Sequence, residues 1–457
     1  MKHLLIVLIA FLLHSSNSFA VNPGDSLFIR KIYDVALVEG ECYSNLRYLC
    51  KNIGHRLSGS TQASEAVVWC KKVFDAAGIN SILQPVKVPH WYRGVAEEVS
   101  FKPEGKSWIK VDALALGNSA GTGSKGIHGK IILCTSLEEL NALPDSLVKG
   151  QIVYFDRPFD RRHIETFHAY GGAVDQRSRG PELASRKGAA GCVVRSMGYP
   201  DDPNPHTGNT RFEEGVAPIP CVAISTVAAD RLRKTLNEGI PVICSIKTNC
   251  KTLPDTDSEN VIGEIKGSVF PDKIIAVGGH LDSWDVGEGA HDDGAGVVQS
   301  IEALRILKAL GYTPRHTVRA ILFMNEENGL RGGQAYYATY ENNQQKHLAL
   351  AESDAGGFSP RGFHYENNSE AAAILAHYMP LLEMYGLHIW KAGGSGADIS
   401  PFQNKTQALL VGLRPDSQRY FDLHHTKADV FETVNRRELE LGAAAMAAFI
   451  YLCDKYI

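Results

Sequence analysis

Four places in this chain set imidazole and carboxylate side chains at spacings suited to holding a metal ion. The stretch Ala276-Val-Gly-Gly-His-Leu-Asp-Ser-Trp-Asp-Val-Gly-Glu-Gly-Ala-His-Asp-Asp-Gly-Ala-Gly296 supplies His280, Asp282, Asp292 and Asp293. Phe323-Met-Asn-Glu-Glu-Asn-Gly supplies Glu326 and Glu327, Glu352-Ser-Asp-Ala-Gly-Gly supplies Asp354, and His424-His-Thr-Lys-Ala-Asp supplies His424, His425 and Asp429. Carboxylate and imidazole without thiolate suit zinc, manganese or cobalt. Two such ions sharing one carboxylate make a hydrolytic site, and of two adjacent glutamates one can ligate while its neighbour stays free as general base. Each fragment alone reads as ordinary surface or core polarity. Together they are distinctive because each follows a strand-like apolar run.

The elements that position these residues are legible around them. Lys273 to Val277 is a short β-branched run of the kind that fills a buried parallel strand. After Gly296 the period turns helical, with Val297, Ile301, Leu304, Leu307 and Leu310 on one face. Polar groups delivered between a strand and the following helix mark where open α/β sheets place their sites. Val261 to Ile265, Thr317 to Met324 and Ala408 to Leu413 read as further strands. Gly294 to Leu310, Ala371 to Tyr385 and Arg437 to Tyr456 read as helices, and Asp398 to Asn404 continues the alternation. The fold class expected is α/β, a mostly parallel doubly wound sheet.

Upstream, the spacing predicts helices over Asp25 to Val38, Glu41 to Cys50 and Ala63 to Ala77, the last closed by Gly78. Ile79 to Val88 alternates as a strand, and Glu98 to Leu116 adds strand-like segments. At Gly121 to Gly126 the composition turns to Gly, Ser and Thr, and short β-rich runs follow: Gly129 to Leu133, Gly150 to Phe155, Gly191 to Val194 and Ile219 to Ile224. Pro181 to Lys187 and Thr226 to Asn237 are the helices among them. The Pro-, Asp- and Gly-rich loop Ser196 to Asn209 reads as exposed. The organisation expected is a leader at 1–20, a first part of the main domain at 21–120, an inserted β-rich module at 121–250 and the metal-binding part at 251–457.

The chain has 457 residues, more than one core usually serves, with 44% hydrophobic and 21% charged residues. A formal charge of −4 gives no electrostatic case for nucleic acid or an anionic membrane. Lys2 and His3, the apolar run Leu4 to Leu13 and the small-x-small step Ser18-Phe-Ala20 read as a secretory signal, too short to span a bilayer. A secreted or periplasmic protein without a membrane anchor is expected. Nine cysteines with no CxxC, most of them set singly in apolar runs, predict few disulfides; Cys244 with Cys250 is the one local pair to consider.

The order HxD, Ala-x-Asp-Asp-Gly-x-Gly, Glu-Glu-x-Gly, Ser-Asp and His-Thr-x-x-Asp resembles the M28 family of co-catalytic zinc exopeptidases. The resemblance covers Arg56-Leu-Ser-Gly-Ser60 with its helix and then Asn260 to the C-terminus. The inserted segment resembles a protease-associated domain through Gly129-Lys-Ile, Lys187-Gly-Ala-Ala-Gly191 and Ile219-Pro-Cys-Val-Ala-Ile-Ser225. Position by position, the resemblance implies two zinc ions per chain, His280 and Asp354 on one, Glu327 and His425 on the other, and Asp292 bridging. It implies Glu326 as general base and Asp282 as the residue that orients His280, with His424 and Asp293 as neighbours. The activity implied is exopeptidase action on dipeptides and short peptides, of metallocarboxypeptidase or dipeptidase type. Aminopeptidase is the alternative, since the same metal core serves both. Glutaminyl cyclase, a one-zinc version without the insertion, and a ligand-less binding protein fit the complete ligand set less well. Members that it resembles form homodimers, though no stretch here marks an interface. Two departures, Ala397-Asp-Ile-Ser-Pro-Phe402 in place of Ser-Asp-His before Pro-Phe, and Asp429-Val430 in place of Asp-Thr, touch the presumed substrate pocket and spare the ligands.

Overall fold

The expected run at Lys273 grows into an eleven-residue strand, Phe270–His280, whose last residue is the first candidate ligand. It lies inside an eight-stranded sheet in a computed structural model that describes residues 23–95, 97–341 and 345–457. The leader expected at 1–20 lies outside the described residues. In spatial order the strands are Asn80–Tyr92, Lys251–Ile265, His316–Phe323, Phe270–His280, Lys346–Glu352, Leu409–Pro415, Pro360–Glu366 and Ile389–Ala392.

The central four of these strands are mutually parallel. Their register pairs His280 with Phe323, Gly278 with Glu352, and Glu352 with Gly412, so their carboxyl ends finish level along one edge. The flanks turn antiparallel: Lys251–Ile265 against both its neighbours, and Pro360–Glu366 against Leu409–Pro415. The sheet is therefore mixed, and the expected parallel character belongs to its centre. Strands buried on both faces are mostly apolar, and these are, with Thr317 and the Glu264-paired Arg319 among the exceptions. Ile275, Val277, Val318, Ala320, Leu322, Ala349 and Ala351 face one core with the helices Pro23–Val38, Ala295–Ala309 and Arg436–Tyr456. The alternate residues Ile274, Ala276, Ile321, Phe323 and Leu350 face a second core with Tyr336 and Tyr337 of the helix Arg331–Glu341. That helix escapes the sequence pattern because Gly332 and Gly333 at its start and Tyr336, Tyr337, Thr339 and Tyr340 after them are weak helix formers.

A second eight-stranded sheet holds Glu97–Pro103, Ile109–Val111, Ala113–Ala115, Ile127–Cys134, Ile152–Phe155, Gly191–Arg195, Cys221–Ile224 and Val242–Thr248. The composition shift at 121 thus falls inside this sheet, and the segments from 97 to 115 belong to it. Glu97–Pro103 pairs antiparallel with Val242–Thr248 over its whole length, a long-range contact that local composition does not report. Four further short helices, Leu137–Ala142, Asp145–Val148, Thr166–Gly171 and Asp175–Ser178, make this unit mixed rather than simply β-rich. At one to two turns each they are too short to show a period. The loop from Ser196 is exposed only near its tip; His206, Thr207 and Gly208 are buried. All nine cysteines are buried free thiols, Cys244 and Cys250 included.

Arg93 ties the crossing between the two sheets. Its guanidinium pairs with Asp285 and Glu97 and donates to Thr207 Oγ1 at 3.1 Å. At the far end, Asp454 of the C-terminal helix accepts from Tyr312 Oη at 2.6 Å, Arg315 N at 3.0 Å and His316 N at 2.7 Å, and so pins the start of a central strand. Removing that carboxylate orphans three donors, each costing about 1–3 kcal/mol where buried. Asp454→Ala should lower stability by roughly 3 kcal/mol or more in urea unfolding followed by tryptophan fluorescence, and Asp454→Asn should lose less. Equal losses would show that packing, not hydrogen bonding, is what Asp454 supplies.

Candidate metal centre

The level carboxyl edge of the central strands gathers the sequence-selected residues. Phe270–His280 ends in His280; the strand His316–Phe323 leads to Glu326 and Glu327; Lys346–Glu352 leads to Asp354; Leu409–Pro415 leads, through the short turn Tyr420–Asp422, to His424 and His425. Asp292 comes from the loop before the helix Ala295–Ala309. It sits at the middle. Its Oδ1 is 3.2 Å from His280 Nε2, and its Oδ2 is 3.2 Å from His425 Nε2. Asp354 Oδ1 lies 3.6 Å from His280 Nε2, and Glu327 Oε2 lies 3.2 Å from His425 Nε2. His424 Nε2 is 3.7 Å from Asp292 Oδ2, and its ring stacks on His425 at 3.6 Å between centroids. Two donor groups that meet at Asp292 could each hold an ion: His280 with Asp354 on one side, His425 with His424 or Glu327 on the other.

The hydrogen bonds at the far side of each ring fix which nitrogen carries a lone pair. His280 Nδ1 faces the Asp282 carbonyl oxygen at 2.9 Å, and His425 Nδ1 faces the Thr207 carbonyl oxygen at 3.3 Å. A carbonyl only accepts, so each Nδ1 carries the hydrogen and each Nε2 of a neutral ring presents a lone pair toward carboxylate oxygens. Asp292 Oδ2 is buried and makes no hydrogen bond among the described residues. Lone pairs converging in this way call for a cation between them.

Electrostatics says the same. Burial works to raise Asp292, yet the His280 and His425 rings beside it hold it well below the usual carboxylate range. Burial and then Asp292 push Glu327 well above that range, and burial with Asp354 and Asp282 pushes Glu326 up to about 8. Burial would lower His280, but Asp292 and Asp354 override it and raise it strongly. The site binds extra protons because its negative charge exceeds its positive charge, and divalent cations meet the same demand.

The loop that carries Asp282 and Asp292 is held by Arg56, which is fully buried. Its Nε donates to Leu281 O at 2.6 Å, Nη1 to Glu288 O at 2.9 Å and Nη2 to Gly289 O at 2.9 Å. Asp429 accepts from His291 N at 2.7 Å and Asp292 N at 3.1 Å. Asp293 accepts from His280 N at 3.0 Å and Gly296 N at 2.9 Å. The Asp282 carboxylate, expected to orient His280, lies 3.9 Å from Nδ1; the main-chain carbonyl of the same residue makes that contact instead. Its carboxylate accepts from Asn325 N at 2.7 Å and Glu326 N at 3.0 Å, so it shapes the turn that presents the two glutamates.

Sequence reasoning missed what the second sheet contributes. Arg177 lies 3.4 Å from His425 Nδ1, and Thr207 N donates to His425 O at 3.0 Å. A β-carbon on Gly208, whose φ is +134°, would lie 2.7 Å from His425 Nδ1, so glycine is what lets this loop approach. A cavity of about 700 Å³ is lined by Asp292, Glu326 and His425 together with Tyr170, Arg177 and Arg211 of the second-sheet unit. The Gly208-Asn209 step in a proline-rich loop was the available signal, and it does not tell a buried approach from an exposed turn. Arg56→Lys keeps the charge but cannot reach three carbonyls. It should lower metal affinity by roughly tenfold or more, the usual scale for an outer-shell support, measured by chelator competition. Unchanged metal affinity in a folded variant would remove Arg56 from this role.

Comparison with known proteins agrees with the arrangement. Residues 260–450 match Peptidase family M28. Carboxypeptidase Q of Homo sapiens is 33% identical over 415 residues, 91% of this chain and 85% of that protein, and carboxypeptidase Q of Bos taurus is likewise 33% identical, with 91% and 85% covered. Among solved structures, a peptidase M28 precursor from Shewanella amazonensis SB2B superposes with a TM-score of 0.89 at 31% identity, covering 94% of this chain and 96% of that one. An aminopeptidase from Aneurinibacillus sp. strain AM-1, at 17% identity and a TM-score of 0.64 with 93% and 95% covered, shares the fold. With its strand-end histidines and carboxylates gathered on Asp292, and relatives matched along nine-tenths of its length, this chain belongs to peptidase family M28 and is a metallopeptidase.

Proposed function

We propose that this chain is an exported exopeptidase that holds two zinc ions and hydrolyses dipeptides and short peptides, with carboxypeptidase or dipeptidase action as its main reading. The observation that carries it is Asp292, whose two oxygens face two separate imidazole lone pairs, each with a further carboxylate beside it. His280, Asp354 and Asp292 fit one ion; His425, Glu327 and Asp292 fit the other. His424 lies farther from Asp292 than His425 does and stacks on that ring as a support. Bound there, zinc polarises a carbonyl and acidifies a water molecule.

The residues of the chain do the rest. Glu327 is committed: its Oε1 accepts from Trp284 N at 3.0 Å while Oε2 faces His425. Glu326 lines the cavity with no such hold, so its carboxylate takes the proton of the attacking water and passes it to the leaving amine. Its raised affinity for a proton suits the first half of that exchange. The second sheet walls the cavity, and 700 Å³ suits a short peptide rather than a folded chain. Aminopeptidase action remains the second reading, because nothing in the ligand set itself chooses an end. The leader at 1–20 supports export, and no described helix is long and apolar enough to cross a membrane.

Glu326→Gln keeps size but cannot take the proton at neutral pH. Zinc content and folding should stay near those of the parent while turnover falls roughly 10²–10⁴-fold. Glu327→Gln should instead lose zinc, with partial recovery in excess metal, and Asp292→Ala should lose both ions together. Elemental analysis decides these roles: zinc content governed by Glu326, or two ions retained without Asp292, would overturn the assignment.

A further inference from the structure

Among the described residues, buried arginines other than Arg177 in the cavity wall are matched to a carboxylate or to several main-chain carbonyls. Arg93 has Asp285 and Glu97, Arg195 has Asp156 and Asp230, and Arg319 has Glu264. Arg56 spends its fork on the carbonyls of Leu281, Glu288 and Gly289. Arg177 is only 5% exposed and forms no ion pair with a carboxylate among the described residues. Nη2 donates to Tyr170 Oη at 2.8 Å and Nη1 to Thr207 O at 3.4 Å, while Nε is buried without a partner. A guanidinium carries five N–H donors, so much of this fork is unspent. Holding a cation out of water without its counter-charge is costly, and an anion brought by a ligand would offset that cost.

A second cation stands near it. Arg211 lines the same cavity, its main chain fixed by Arg211 N donating to Ser178 O at 2.9 Å, and its guanidinium has no ion-pair partner among the described residues. Asp292, Glu326 and Asp354 line the same cavity. The cavity therefore carries charges of both signs, carboxylates delivered by the first sheet and two guanidinium groups from the second-sheet unit without carboxylate partners. We propose that Arg177 and Arg211 receive the C-terminal carboxylate of the peptide, which sets carboxypeptidase or dipeptidase direction; this rests on the peptidase reading above. A terminal ammonium at that end would meet two positive charges. An uncharged mid-chain segment would leave both unmatched.

The test compares a dipeptide with its C-terminal amide on the zinc-loaded enzyme. The parent should favour the free acid by at least tenfold in kcat/KM. Arg211→Gln and Arg177→Lys should cut that ratio fivefold or more, mainly through KM, with zinc content unchanged. Calorimetry with an N-acetyl amino acid and its amide reads the same preference without turnover, so a protein that fails to hydrolyse peptides still tests the site. Arg211 is exposed, so its variant keeps the test open if Arg177→Lys misfolds. Equal handling of acid and amide by the parent overturns the proposal, as does an unchanged ratio in both variants. Zinc lost in step with activity would mean that Arg177 only supports His425, and a preference that follows a C-terminal Glu over Gln instead of the terminus would assign the carboxylate to a side chain. Either result also overturns it. Failure to cut any peptide, with acid binding intact, would instead sink the peptidase reading alone.

Discussion

Carboxylates packed around Asp292 at the end of a buried sheet are the constraint on which this structure turns. Asp292, Asp293, Glu327 and Asp282 are all nearly closed to water, and neighbouring carboxylates repel one another in a medium that screens poorly. Such a cluster persists only if its geometry is over-determined from outside and its charge is met by cations. The first condition is visible. Arg56 grips the loop through three carbonyls, Asp429 and Asp293 each accept two main-chain N–H groups, and Asp282 clasps the Asn325–Glu326 turn. The second is the strongest physical argument for the two-ion reading.

The parallel centre of the sheet is what makes this gathering achievable. Four parallel strands finishing level deliver four loops to one edge, and a single antiparallel strand among them would send its loop to the opposite end. Antiparallel pairing is accordingly confined to the flanks, where no candidate ligand is carried. Packing supports the same edge: alternate residues of each central strand fill two cores, so a one-residue slip would turn each set into the core shaped for the other and unseat His280 from Phe323.

Much of the site is legible in the sequence because metal ligands must sit at strand ends, and strand ends are marked by a change from apolar run to glycine-rich loop. His280, Asp292, Glu327, Asp354 and His425 meet that description individually, and the structure brings them within contact of one another. The role of Asp282 is less legible. Backbone and side chain of one residue point to different partners, and no spacing rule says that the carbonyl faces His280 while the carboxylate faces Asn325 N. The extent of the second sheet was hidden for a similar reason. Glu97–Pro103 finds its partner about 150 residues onward at Val242–Thr248, whereas composition sees only the flexible connection at 121–126 between strands of that sheet. The buried stretch His206-Thr-Gly208 looks like any polar turn until the histidine it approaches is in place.

That approach changes what the second sheet is for. Its loops could have walled the cavity at a distance, yet Thr207 O faces the Nδ1 hydrogen of His425 and Arg177 stands against the same ring. One loop therefore fixes the tautomer of a candidate ligand, and its neighbour supplies an unmatched cation to the cavity beside it. Arg93 locks the two functions together, since its guanidinium reaches Thr207 Oγ1 from one side and Asp285, in the loop between Asp282 and Asp292, from the other. A displacement of the second sheet would loosen His425 and move Arg177 in the same motion. The placement of His425 and that of Arg177 are thus mechanically one property of this fold.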